Sequence, residues 1–305
     1  MSDPIDHHYL PIFYLKAWCA SDGKVVRFYR PHDVVVATPV SPDNTAFEPR
    51  LYSLEGYPAE QVQTVERDYM SRTVDSPAAV ALRVLLEKRP SGMTVEMRNA
   101  WTRFVMSMQL RNPFTLQEVK AVADSTLREN LFKADDPEYQ AIRDQGDPPT
   151  FYEWALKYAP HQMDSMHKAW LPGLIEHEKI GTHIMNMHWS VVDVSKGRFS
   201  LLTGDRPYIS THGLGDAKAV IALPISPELL FIASNSANAV QRFRSQPPSD
   251  TARRLNTHIA RLAVKQVYSD SRAPLPFVEK HLRRADQTPV PGVLGRELPK
   301  GGTVR

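Results

Sequence analysis

The hydrophobic period of this chain passes from helical spacing to period two near residue 183, and that switch constrains the fold more than any single motif. Between about residues 58 and 131, apolar side chains return at helical spacing. Val62, Val65, Tyr69 and Met70 mark a first helix over 58–74, and a second follows over 77–88, ahead of Pro90 and Gly92. A third begins near Met93 and carries Met97, Trp101, Phe104, Val105 and Met108 on one face. It should stop near Arg111 or Asn112, because the residue before Pro113 is pushed out of the helical region. Residues 113–131 read as a fourth helix, and 151–157 and 165–180 as further helical stretches.

From residue 183 the period becomes two and β-branched residues dominate. Residues 183–194 and 198–203 flank Ser195-Lys196-Gly197 as a hairpin, 218–223 and 228–233 are further strands, and 249–267 is a closing helix. Near the N-terminus, a short helix over 11–18 precedes a hairpin of 24–30 and 33–38 around Pro31-His32. This order predicts one α+β domain over residues 1–285. Its N-terminal and middle region is mainly helical, with a small antiparallel sheet in the C-terminal half. Residues 286–305, with Pro289, Pro291 and Pro299, read as a flexible tail.

Composition removes several classes of function. The net charge of +3 comes from 37 basic and 34 acidic residues, a surplus too small to mark a nucleic-acid binder. Cys19 is the only cysteine, so no intramolecular disulfide can form. No apolar run is long enough for a signal peptide or a membrane span, which predicts a cytoplasmic protein without a membrane partner. The chain contains no G-x-S-x-G, P-loop, G-x-G-x-x-G or H-E-x-x-H.

What remains is a set of polar residues in unusual places. Glu66 falls on the face of the first helix that should be buried, so it needs a partner or must be neutral. It reads either as half of a structural ion pair or as a metal ligand or general base. On the third helix the apolar stripe runs on into Gln109, Arg111 and Asn112, which either cap the helix end or line a polar pocket. Arg111 suits a buried carboxylate, with Glu66 as its natural partner. Asp205 follows the apolar run 198–202 at a strand end, where Asp is also common for local turn bonding.

The opening Asp6-His7-His8-Tyr9-Leu10-Pro11 adds a histidine to the set. Together with 44–54 (NTAFEPRLYSL), the VERD of the first long helix, FVMSMQLRNP, LLTGDRPYI, LPISP, Asn256 and Tyr268, it resembles the family known as domain of unknown function 4238 over about residues 7–270. Members typically open His-Tyr-Val/Leu-Pro, which places His8 in register and leaves His7 a passenger. They commonly carry Thr-Ser-Asp-x-Pro, where this chain has Gly204 in place of Ser. The resemblance implies no reaction, but it selects the same positions.

Two functions fit these residues. One is a metal-dependent hydrolase, phosphodiesterase- or nuclease-like. Its catalytic residues would be His8, Glu66 and Asp205, with Glu66 and Asp205 holding a divalent metal such as Mg²⁺. Gln109, Arg111 and Asn112 would bind substrate. The other is a non-catalytic protein that binds a small anion or a partner and uses Glu66, Arg111 and Asp205 as a buried network. The helix that starts at Pro11 disfavours a protonated neighbour, so His8 should be mostly neutral.

Overall fold

Two segments far apart in the sequence share one sheet, which joins the N-terminal and C-terminal parts of the chain. In the computed structural model, which describes residues 5–131, 136–284 and 287, β1 (Asp6–His8) leads into α1 (Ile12–Lys16). β2 (Val25–Tyr29), β3 (Val36–Val40) and β4 (Phe47–Pro49) follow. β1 pairs antiparallel with β4, and β2 with β3. The helical middle opens with a π-helix, Thr64–Asp75, that continues directly into α2 (Ser76–Lys88). Next come α3 (Val95–Leu110) and α4 (Pro113–Leu131), then α5 (Pro137–Ile142), α6 (Phe151–Tyr158), α7 (Pro160–Ala169), α8 (Leu171–Ile175) and α9 (Glu178–Asn186).

The C-terminal part holds β5 (His188–Asp193), β6 (Thr203–Gly204), β7 (Ile209–Ser210), β8 (Val220–Pro224) and β9 (Leu229–Ser234). α10 (Ala237–Ser245), α11 (Pro248–Leu262), β10 (Gln266–Ser269) and α12 (Leu275–His281) complete it. One four-stranded sheet has the order β3-β2-β10-β6 and another β5-β9-β8-β7, all antiparallel.

The class is α+β, but the expected layout is corrected. The N-terminal region is not mainly helical, and antiparallel sheet is not confined to the C-terminal half. The N-terminal hairpin finds its partner in β10, where Tyr268 sits opposite Arg27. The sequence pattern had carried the closing helix through Val267. The helix ends at Leu262 because the Asp205 carboxylate accepts the backbone N–H groups of Val264, Lys265 and Gln266, at 2.9, 2.5 and 3.0 Å.

The hairpin expected across Ser195-Lys196-Gly197 does not form either. β5 pairs with β9 instead, and the returning segment is held by α11. Asn256 accepts Leu202 N–H at 2.8 Å and donates to Ser200 O at 2.8 Å. The expected tail, 286–305, lies outside the described residues apart from position 287. Among the described residues no helix is long and apolar enough to cross a membrane.

α3 is the centre of the core. Trp101 meets Phe104 at 5.0 Å and the edge of Phe231 on β9 at 5.6 Å between ring centroids, and Phe104 also touches Phe13 and Tyr14 of α1. The Tyr14 hydroxyl donates to Pro224 O at 2.7 Å and lies 2.7 Å from Thr203 Oγ1, so α1 is tied to two sheets. Trp101→Ala is expected to cost about 3–5 kcal/mol. The check is the midpoint of denaturant unfolding, which should fall with an unchanged slope.

Candidate functional site

Arg111 ends α3 with its guanidinium sealed inside the protein at 1% exposure. A buried cation must be paired, and the partner is Asp75. Nη1 donates to Oδ1 at 2.7 Å and Nη2 to Oδ2 at 3.1 Å, while Nη2 also reaches His8 O at 3.1 Å. The guanidinium therefore joins β1, the π-helix and α3. The Tyr52 hydroxyl donates to Arg111 O at 2.5 Å, and Tyr52 N–H donates to His7 Nδ1 at 2.9 Å. His7 is fully buried and its ring stacks on Tyr52. The residue taken for a passenger is thus the one that locks the terminus.

Glu66, the partner expected for Arg111, lies close enough to act on it electrostatically, but its Oε2 is buried without a hydrogen bond. Burial pushes its pKa up to about 7, against the pull of Arg111 and with a further push from Asp75. His8 is held below the ordinary histidine value. Burial is the largest cause, a backbone hydrogen bond at Asp43 opposes it, and Arg111 reinforces it. The neutrality expected from the helix end follows here from burial. His8 Nε2 and Arg111 Nε are likewise buried without partners.

Winding explains why Asp75 was missed and Glu66 over-read. A π-helix closes i to i+5, roughly 4.4 residues per turn, so residues nine apart return to one side after about two turns. Ser76 N–H donates to Ser71 O in this register, and the buried residues of the segment are Val65, Met70 and Val74. Glu66 and Asp75 are nine apart and both act on Arg111. At the 3.6 residues per turn of an α-helix they would face opposite ways. In the sequence Asp75 precedes Ser76-Pro77 and looks like an ordinary helix start.

The other candidates lie elsewhere. Asp205 is buried, with both oxygens engaged by the three amides that start β10. Asn112 is the cap of α4, accepting Thr115 N–H at 2.9 Å and donating to Thr115 Oγ1 at 2.8 Å. Both line a small cavity of about 110 Å³ with Tyr9, Phe114 and Lys265. At Gly204, where this chain departs from the family pattern, a Cβ would lie 3.0 Å from Gln266 O. His8, Glu66 and Arg111 are brought together, but the described residues contain no group of three or more His, Cys, Asp or Glu that could hold a metal ion. The donor set expected for Mg²⁺ is therefore not assembled.

Two larger cavities flank the β7 strand. One, of about 530 Å³, lies between β8, β9 and the α10–α11 pair. Val220, Ala222, Leu230, Phe243 and Leu255 make its apolar wall, with Arg206, Arg254 and His258 as its basic groups. Among the described residues that line it, none is acidic. The Arg206 guanidinium lies over the Phe114 ring at 5.2 Å. The second cavity, of about 300 Å³, is lined by Gln109, Leu110, Leu174, Ile184, His212 and Leu214 among others, and it shares Tyr208 and Ser210 with the first. Gln109 is thus the one expected binding residue that reaches either large cavity. Sequence reading missed Arg206 and Arg254, which carry no local signature in the sequence.

Two measurements probe the buried hub. Arg111→Met leaves Asp75 without its partner and is expected to cost about 3–5 kcal/mol of stability. Glu66 has a folded pKa above its unfolded one. Its contribution is fully present below about pH 4.5 and is lost as pH rises through about 7. Relative to Glu66→Gln, the wild type should lose on the order of 3 kcal/mol across that window; parallel stability profiles for the two proteins would contradict this.

The comparisons with known proteins agree with this layout in extent. No curated protein and no solved structure matches the chain. A family of proteins of unknown function, DUF4238, matches residues 6–273, which span β1 through β10, and the chain belongs to that family.

Proposed function

We propose that this protein is a non-catalytic binding protein that receives an anionic group in the cavity between its C-terminal sheet and α11. The observation that carries the reading is the lining of that cavity: Arg206, Arg254 and His258 stand over an apolar wall, and the described residues of that lining include no Asp or Glu. A low-dielectric wall next to basic groups strengthens their attraction for an anion. Arg254 is exposed at the rim and makes no ion pair among the described residues, whereas its neighbour Arg253 is paired with Asp250. The Arg111–Asp75 pair acts in this reading as scaffold. The hydrolase expected on His8, Glu66 and Asp205 would need Glu66 and Asp205 on one cation, and Asp205 is committed to the amides of Val264, Lys265 and Gln266.

Glutarate and glycerol phosphate, titrated by calorimetry at low ionic strength, test the reading. At least one is expected to bind, with affinity reduced about tenfold or more by Arg254→Glu and also falling with added salt. Wild-type protein that takes up neither probe, or a folded Arg254→Glu variant that binds as tightly as wild type, would overturn it.

A further inference from the structure

The two large cavities lie on opposite faces of one sheet, at its edge. In the order β5-β9-β8-β7, β7 is the terminal strand, and no further strand pairs with it among the described residues. Register separates the faces. Ile209 stands opposite Ala222, and both line the basic cavity. Leu223 stands opposite Phe231, whose ring meets Trp101 of α3, so the other face looks toward α3. The second cavity opens on that side, beside Gln109 and Leu110 of α3.

Hydrogen-bond direction settles which backbone groups remain at the edge. Thr211 N–H donates to Val220 O at 3.1 Å, so Thr211 and Ile209 turn their amides toward β8. Alternation then turns the N–H and C=O of Ser210 outward. Ser210 borders both cavities, so open space reaches the edge from each face.

We propose that the β7 edge takes an extended segment of a partner protein as an added strand, with an acidic side chain entering the cavity of Arg206 and Arg254 and its apolar neighbours entering the cavity of Leu174, Ile184 and Leu214. Successive side chains of a strand point to opposite faces, and strand addition takes affinity from main-chain bonds and specificity from alternate pockets. The two cavities differ in the required way: one is basic, and the other is lined by no Asp, Glu, Lys or Arg. The chain's own residues 288–305 do not match in charge, because they carry Arg296, Lys300 and Arg305 against Glu297 alone. The acidic position rests on the anion-binding reading above; the strand pairing does not.

The test uses an acetylated, amidated peptide of alternating leucine and glutamate, its lysine counterpart, N-acetylglutamate as the free anion, and two N-methylated peptides blocked at alternate sets of amides. The glutamate peptide is expected to bind at least about tenfold tighter than N-acetylglutamate, and the lysine peptide much more weakly. Only one methylated set should lose affinity, because one edge of the added strand faces β7. Ser210→Pro removes the outward N–H and spares the bonds to β8, so it should weaken the peptide to a similar degree. A peptide that binds no tighter than N-acetylglutamate, or that is indifferent to both methylation patterns, overturns the proposal while leaving the anion site standing. Failure of N-acetylglutamate together with the peptide overturns both.

Discussion

The N-terminal half of this fold depends on one buried cation. Removing a guanidinium from water costs several kcal/mol unless its donors are met by charge and good geometry. At Arg111 the two Nη groups are met by Asp75 and by the carbonyl of His8, and the remaining Nε has no partner. The pair therefore forms fully only when β1, the π-helix and the end of α3 are in place together. Tyr52 adds a fourth element through its bonds to Arg111 O and His7 Nδ1. Such a hub fixes positions, because the Nη groups of Arg111 and both oxygens of Asp75 are spent on one another and on the His8 carbonyl.

How much of this was legible in the sequence depends on whether the period was ordinary. α2 and α4 begin and end within a residue of where apolar spacing puts them, and α3 closes one residue before Arg111. The segment 64–75 fails that test because its winding is not 3.6 residues per turn. Reading Glu66 on the α-helical wheel of Val62 and Tyr69 correctly predicts an interior carboxylate, and correctly requires it to be neutral or paired. It cannot reveal Asp75, which only π-helical winding turns to the same side. Of the six expected residues, His8, Glu66 and Arg111 come together while Gln109, Asn112 and Asp205 lie elsewhere, and the identity of the ion pair, Arg111 with Asp75, was not legible.

Strand pairing was less legible for a different reason. The sequence pattern marks 24–30 and 228–233 as strands, close to the observed Val25–Tyr29 and Leu229–Ser234, but a strand's partner is chosen by the whole fold. Ser195-Lys196-Gly197 carries a good local turn, yet β5 pairs with β9, because Asn256 holds residues 200–202 and Val194 N–H bonds to Glu228 O at 2.8 Å. Asp205 is the sharpest case. A carboxylate in a Gly-Asp-Arg-Pro turn looks available for chemistry, but it stops α11 and starts β10 through amides about sixty residues away. No spacing in the sequence announces a bond of that length.

The same long-range anchors bear on what the β7 edge can do. Its segment is held at the start by Asp205, whose own N–H donates to Gln266 O at 3.1 Å. At the end, Asn235 Nδ2 donates to Leu214 O at 2.7 Å and to Asp216 O at 2.8 Å, while Asn235 Oδ1 lies 2.9 Å from His183 Nε2. A short strand fixed at both ends loses little freedom when something pairs with it, and that lowers the ordering cost that association must meet. The aromatic packing of Phe231 on Trp101 holds the sheet from one side, and Leu255 of α11 is buried on the other. What the fold leaves uncovered is the margin between those two supports, where backbone direction, basic charge and apolar space meet at Ser210.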